Sequence, residues 1–162
     1  MKKYELTSET KVFLGKTLYR IKALVQFGNV NAGDLGGWIE KEENLSQSGN
    51  AWVYGDARVS GNAEVSGNAR VSGDARVYGN AEVCKIGAVF WIGAIGSRNR
   101  TTTFFRCKDG KIYVSCGCFL GDLEEFSDKV KQTHGDNEHG RVYMLAIEMA
   151  KARIVEEKNE VH

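Results

Sequence analysis

The sequence contains no proline in its 162 residues. Its turns must be made by glycine, asparagine and aspartate instead. It also lacks an apolar run of roughly eighteen residues, so no membrane-spanning helix is expected. Charge of one sign is missing too: 22 Lys and Arg stand against 21 Asp and Glu. A nearly neutral chain is not an electrostatic binder of long nucleic acid. The opening residues, MKKYELTSETK, are charged but carry no apolar signal region. With nothing pointing to secretion, the four cysteines read as reduced thiols and the chain as cytoplasmic. No GKS or GKT follows a glycine-rich loop, so nucleotide hydrolysis has no support.

What is present is repetition. Gly49 to Cys84 is six near-copies of Gly-Asn/Asp-Ala-x-Val-x, with valines at 53, 59, 65, 71, 77 and 83 and alanines at 51, 57, 63, 69, 75 and 81. A period of six does not fit a helix, whose period is 3.6, but it fits a parallel β-helix. Valine suits a buried pleated wall, and Gly followed by Asn or Asp suits a corner with positive φ. The second residue of each hexad runs Asn50, Asp56, Asn62, then Asn68, Asp74, Asn80. The fourth runs Trp52, Arg58, Glu64, then Arg70, Arg76, Glu82. The unit is therefore eighteen residues, or three hexads per coil, which predicts a triangular prism. Ile39 and Leu45 already keep the six-residue step, whereas Leu45 and Val53 are eight apart, implying a two-residue interruption.

Residues beside each valine point outward from such a prism. Arg58 then lies over Arg76, Glu64 over Glu82, and Trp52 over Arg70 as a candidate cation–π stack. The Arg and Glu columns are read either as solvated faces or as the two sides of a homotrimer interface, the Arg face of one copy meeting the Glu face of the next.

The flanks differ in kind. Residues 1–34 predict a β-hairpin cap around Gly15, residues 35–86 the repeat, and residues 87–162 an α+β ligand-binding or interaction domain. In the last zone, IGAVFWIGAIG reads as a strand and glycine turn, and TTTFFRCKDGKIYVSC as a hairpin around Asp109–Gly110. A helix is predicted after Asp122, with Glu125 three residues on and Gly135 at its end. A second, GRVYMLAIEMAKARIVEEK, presents Tyr143, Ile147, Ala150 and Ile154 on one side. The expected fold is mainly β: a parallel β-helix with an N-terminal hairpin and a C-terminal α+β cap that closes the last coil.

Three places carry candidate chemistry. Lys85 to Lys111 holds six basic residues and one acid. Within it Ser97, Arg98, Asn99, Arg100, Arg106 and Lys108 form a candidate anion site of arginine forks and turn amides. Phe104, Phe105, Tyr113 and Trp91 are read as core residues or as base-stacking partners for a nucleotide. Cys107, Cys116, Cys118 and His134 are candidate zinc ligands, but CxC is tighter than the usual spacing and buried thiols are common, so no metal is expected. The third is acyl transfer with His134 as base beside Asp136. No histidine lies in the repeat, the three being His134, His139 and His162.

The segments GDLGGWIEKEENLSQSGNAWVYGDA and VSCGCFLGDLEEFSDKVKQTHGDN resemble phage- and prophage-encoded hexapeptide-repeat, or polymer-forming, proteins of bacteria. The repeat between them resembles the left-handed hexapeptide β-helix family. That resemblance, and nothing in the spacing, implies the left-handed winding. It implies phage context and no assigned reaction. Many hexapeptide β-helix proteins are acyltransferases that use coenzyme A and a histidine beside the coils. The favoured reading is a non-catalytic binding protein without a cofactor, which holds a small anionic, nucleotide-type defence signal. The alternatives are an assembly module gripping a protein partner and an acyltransferase.

Overall fold

The computed structural model describes residues 1–155. The protein is mainly β, with two helices at the C-terminal end of the described chain. The last residues of the second expected helix, and His162, lie outside the described residues. No helix among the described residues is long and apolar enough to cross a membrane.

β1 (Tyr4–Phe13) and β2 (Lys16–Ala23) form the expected hairpin, turning through Leu14 and Gly15 at φ 50° and 75°. β3 (Leu35–Ile39) pairs antiparallel with β2. Six two-residue strands follow: β4 (Trp52–Val53), β5 (Arg58–Val59), β6 (Glu64–Val65), β7 (Arg70–Val71), β8 (Arg76–Val77) and β9 (Glu82–Val83). They pair in parallel as β4 with β7, β5 with β8 and β6 with β9, so residues eighteen apart are partners.

The two-residue interruption is visible in the register above. Ile39 pairs with Val59 and Leu45 with Val65, each an offset of twenty. Within the repeat, the N–H of each ladder residue donates to the carbonyl seventeen residues on, at 2.8–3.2 Å from Asn50 to Ser66. All six valines and six alanines are buried to 1 % exposure or less. Full burial of a valine contributes on the order of 1.5–3 kcal/mol relative to exposure. The Gly67 corner admits no side chain: it has φ +63°, and a Cβ there would run into the carbonyl of Cys84. The sheets are small and mixed, not three equal faces, because one ladder continues into the hairpin. That sheet runs β1-β2-β3-β5-β8 across the 34/35 boundary of the sequence.

A stack of parallel turns leaves unpaired carbonyls at one end and unpaired N–H groups at the other. At the first end Asn44 donates to the carbonyls of Gly61 and Ala63, at 3.2 and 2.9 Å. Lys3 is 4 % exposed, and its ammonium donates to the Ala51 carbonyl at 2.8 Å, and more weakly to those of Ser48 and Gly49. Tyr4 and Phe27 meet the Trp52 ring edge-on at 6.1 and 5.2 Å. Trp52 pairs with Arg70 as expected, yet it is buried under the N-terminal segment, not exposed beside that arginine.

The other end is closed by a four-stranded antiparallel sheet, β10 (Val89–Ile95), β11 (Arg100–Arg106), β12 (Ile112–Cys116) and β13 (Phe119–Asp122). Its residues alternate between two cores. Phe105 joins the core of the repeat, while Phe104, Ile112 and Val114 pack with the helices. Thr103 and Ser115, cross-strand partners, point their hydroxyls at β8. The Arg76 N–H donates to Thr103 Oγ1 at 3.0 Å, and Ser115 Oγ donates to the Arg76 carbonyl at 2.6 Å. Two side chains thus replace the missing strand. Helix α1 (Leu123–His134) is capped by Asp122, which accepts from Glu125 N at 2.8 Å, and ends at Gly135 with φ 58°. Helix α2 (Glu138–Arg153) starts two residues earlier than the sequence suggests, because Asn137 accepts from Gly140 N at 2.9 Å.

Two predictions follow from the closed ends. T103V with S115A leaves the Arg76 backbone groups buried and unpaired, and should lower unfolding free energy in urea by roughly 1–3 kcal/mol per group. Burial lowers the Lys3 pKa from 10.5 to about 8. Between those values the unfolded chain holds a proton that the folded chain has shed, so this group's contribution to stability rises with pH across that window. In K3M the alkaline rise in melting temperature should flatten.

Candidate functional site

The feature of most chemical interest is a cleft of about 360 Å³ at one end of the C-terminal sheet. Three elements shape it: the β10–β11 turn, the β12–β13 turn, and the C-terminal half of α1, with Tyr143 of α2 behind them. Its wall is apolar, formed by Ile95, Phe119, Phe126 and Val130. The cations at the site are Arg98, Arg100 and Lys129, and among the described residues no carboxylate lines it.

Each wall has a local cause. Gly96 has φ +79°, and a Cβ there would collide with the Tyr143 hydroxyl. Only glycine lets the turn lie against α2. Asn99 has φ 50°, and its N–H is spent on the Gly96 carbonyl at 3.1 Å. The turn is therefore self-closed, and Asn99 shapes it; its amide is not left free to cradle an anion. Gly117 and Cys118 form a tight turn between the paired residues Cys116 and Phe119. The two thiols consequently do not sit on one side of an extended strand: Cys116 is half-buried and Cys118 exposed.

Of the expected anion site, Ser97, Arg98 and Arg100 reach the cleft. Arg106 does not. It lies six residues from Arg100 along β11, about 20 Å at the usual strand rise. It is 3 % exposed and donates to Cys84 Sγ at 3.1 Å. Lys108 sits on the Glu face, 3.3 Å from Glu64. The expected base-stacking residues are elsewhere as well: Phe104 and Phe105 are fully buried, Tyr113 donates to Asp109 at 2.8 Å, and Trp91 packs at Gly73.

The cleft instead joins candidates that the sequence kept apart. Cys116, Cys118 and His134 all line it. Cys116 Sγ accepts from Thr102 Oγ1 at 3.5 Å and lies 3.7 Å from the Tyr143 hydroxyl. Burial first, and then Cys116, push the Tyr143 pKa up to about 12, so the phenol keeps its proton and is a donor at neutral pH. His134 stacks on Tyr143 at 5.6 Å and meets His139 edge-on at 5.7 Å. Among the described residues no carboxylate hydrogen-bonds to His134, and the carbonyl of Asp136 accepts from Arg141. Cys107 is far from this group; it bridges to Ala81 in the core of the repeat. Among the described residues no cluster of three or more His, Cys, Asp or Glu is placed to hold a metal ion.

Lys129, Thr133, Phe119, Phe126 and Tyr143 complete the site. The signal for two of them lies in helix periodicity: Lys129 and Thr133 flank the Phe126–Val130 stripe at the spacing of one face.

The columns of the repeat are stacked as expected, Arg58 on Arg76 and Glu64 on Glu82. The Arg column is not bare. Phe13 of the hairpin lies under both guanidinium groups, at 5.0 and 5.1 Å from its ring centre.

Comparison with protein families finds no matching family model. A 62-residue segment is 39 % identical to the uncharacterized acetyltransferase YdcK of Escherichia coli (strain K12). The match covers 33 % of this chain and 19 % of the length of that protein.

The thiols should differ sharply in reactivity. Burial pushes Cys107 up to about 12, whereas Cys118 is exposed. In the folded protein iodoacetamide should label Cys118 first and leave Cys107 untouched until denaturant is added, as read by peptide mass spectrometry.

Proposed function

We propose that the cleft binds a small anionic ligand with an apolar or aromatic body, of the nucleotide type, and holds it without turnover. The observation that carries this reading is the pairing of an apolar wall with three cations and, among the described residues, no lining carboxylate. Arginine forks suit phosphate or carboxylate oxygens, and Phe119 offers a half-buried ring beside them. The cleft volume falls at the small end of ordinary ligand sites, near the size of a mononucleotide. In the same reading the parallel ladders wind left-handed, as the family resemblance alone implies, and serve as a scaffold.

Titration calorimetry with a panel of nucleoside mono- and diphosphates tests it. At least one should bind, and R98A with K129A should weaken binding at least tenfold. If no nucleotide binds, or if the variant binds as tightly as the wild type, the reading fails.

A second reading has its own support: the partial similarity to an acetyltransferase, together with His134 in the cleft. Here His134 would act as general base for an acceptor and the cations would hold phosphates of coenzyme A. Free thiol released from acetyl-coenzyme A, and lost in H134N, would favour it over simple binding.

A further inference from the structure

One face of the five-stranded sheet carries a column that the cleft does not use. Arg20, Trp38, Arg58 and Arg76 are successive cross-strand partners on β2, β3, β5 and β8. The far half of the β1–β2 hairpin lies over this column. Lys11 sits 4.3 Å above the Trp38 ring, with Arg20 at 5.6 Å. Phe13 contacts Arg58 and Arg76 together. Tyr78 meets Phe13 edge-on at 6.1 Å and donates to the Phe119 carbonyl at 3.2 Å, tying the column to the wall of the cleft.

Like charges on adjacent rungs repel, and these two are half-buried. A ring face attracts a guanidinium but does not cancel its charge. Arg20 has Glu9 at 3.6 Å. Among the described residues, neither the Arg58 nor the Arg76 guanidinium makes an ion pair or a hydrogen bond. Asp56 and Asp74 lie nearby on exposed corners and soften the field without engaging either fork. The result is two forks, aligned by the ladder at about 4.8 Å, with their donors unspent.

We propose that Arg58 and Arg76 form an oxyanion subsite for a diphosphate-type group. Each guanidinium takes oxygens of one of two successive phosphorus atoms, and Phe13 fixes both side chains beforehand. Lys11 stands at the margin of this subsite, on the same strand face as Phe13. The subsite shares no residue with the cleft, although Arg100 of the cleft acts on Arg76 through space.

The probe is inorganic pyrophosphate, which lacks the apolar body that the wall of the cleft would hold, and the cleft variant reports any share the cleft cations take. Calorimetry on the full chain at low salt should show binding that weakens as salt rises. R58Q with R76Q should lose at least tenfold in affinity, whereas R98A with K129A in the cleft should leave it unchanged. Should the double variant unfold, R58Q and R76Q singly should each lose at least threefold while keeping the wild-type circular dichroism. Three results would overturn the proposal: no pyrophosphate binding by the wild type, equal binding by the arginine variants, or loss of binding in the cleft variant. A fourth would do so too: native mass spectrometry showing an oligomer that R58Q/R76Q dissociates and pyrophosphate does not affect. The Glu64 and Glu82 column of a second copy would then be the occupant.

Discussion

The structure depends on one hydrogen bond repeated: an N–H of one turn donating to a carbonyl of the next, seventeen residues on. That bond fixes the stacking of every valine on the valine eighteen residues away. It also creates a problem it cannot solve, since the first and last turns have no neighbour on one side. Each unpaired buried backbone group costs more than a ladder bond contributes net. The segments on either side of the repeat are best understood as answers to that cost. At the first end the answer is a set of long polar side chains, with Asn44 imitating a strand and Lys3 gathering loose carbonyls. At the other it is a sheet whose hydroxyl pair, Thr103 and Ser115, docks on the edge of β8.

The cleft is a by-product of this closure. Because Thr103 and Phe105 must face the stack, Thr102 and Phe104 must face away from it. That second face needs cover, and α1 and α2 provide it. The helices cover the two turns at the sheet end only in part, Tyr143 meeting Gly96, and the space left between turns and helix is where Arg98, Arg100, Cys116 and His134 meet. The candidate site thus lies at the limit of the apolar stripe of α1, where packing stops dictating residue type and leaves room for charge.

Much of this was legible in the sequence for definite reasons. A strict six-residue period has few physical solutions, so the pairing register could be read from the valines alone, including the slip between Leu45 and Val53. The cap of α1 was legible because Asp122 acts on a residue three positions away, whereas Asn137, which caps α2 in the same way, precedes the apolar stripe and was missed. Long-range encounters were not. Nothing local to Arg106 shows that it faces Cys84, and nothing in a hexad shows Phe13 lying across two of them. The six expected anion-site residues were grouped by nearness in sequence, but a strand carries its two ends far apart. Arg100 and Arg106 share a strand face and still belong to different parts of the molecule.

The Arg column sharpens this point. Every other repeated position has a purely structural explanation: valine fills, alanine clears the corner, glycine turns it. The Glu column needs none beyond solvation, with Lys108 against Glu64. Arginine at both 58 and 76 breaks the local rule against like charges on paired strands, and burial makes the breach costlier for Arg76, whose pKa is lowered by burial first, then by Arg58 and Arg100. A lone aromatic ring lessens that cost but does not explain why two cations are placed on it. Residues that violate local preference without an internal partner are where function is to be sought. By that criterion the proposal of a binding role extends from the cap to the outward face of the repeat.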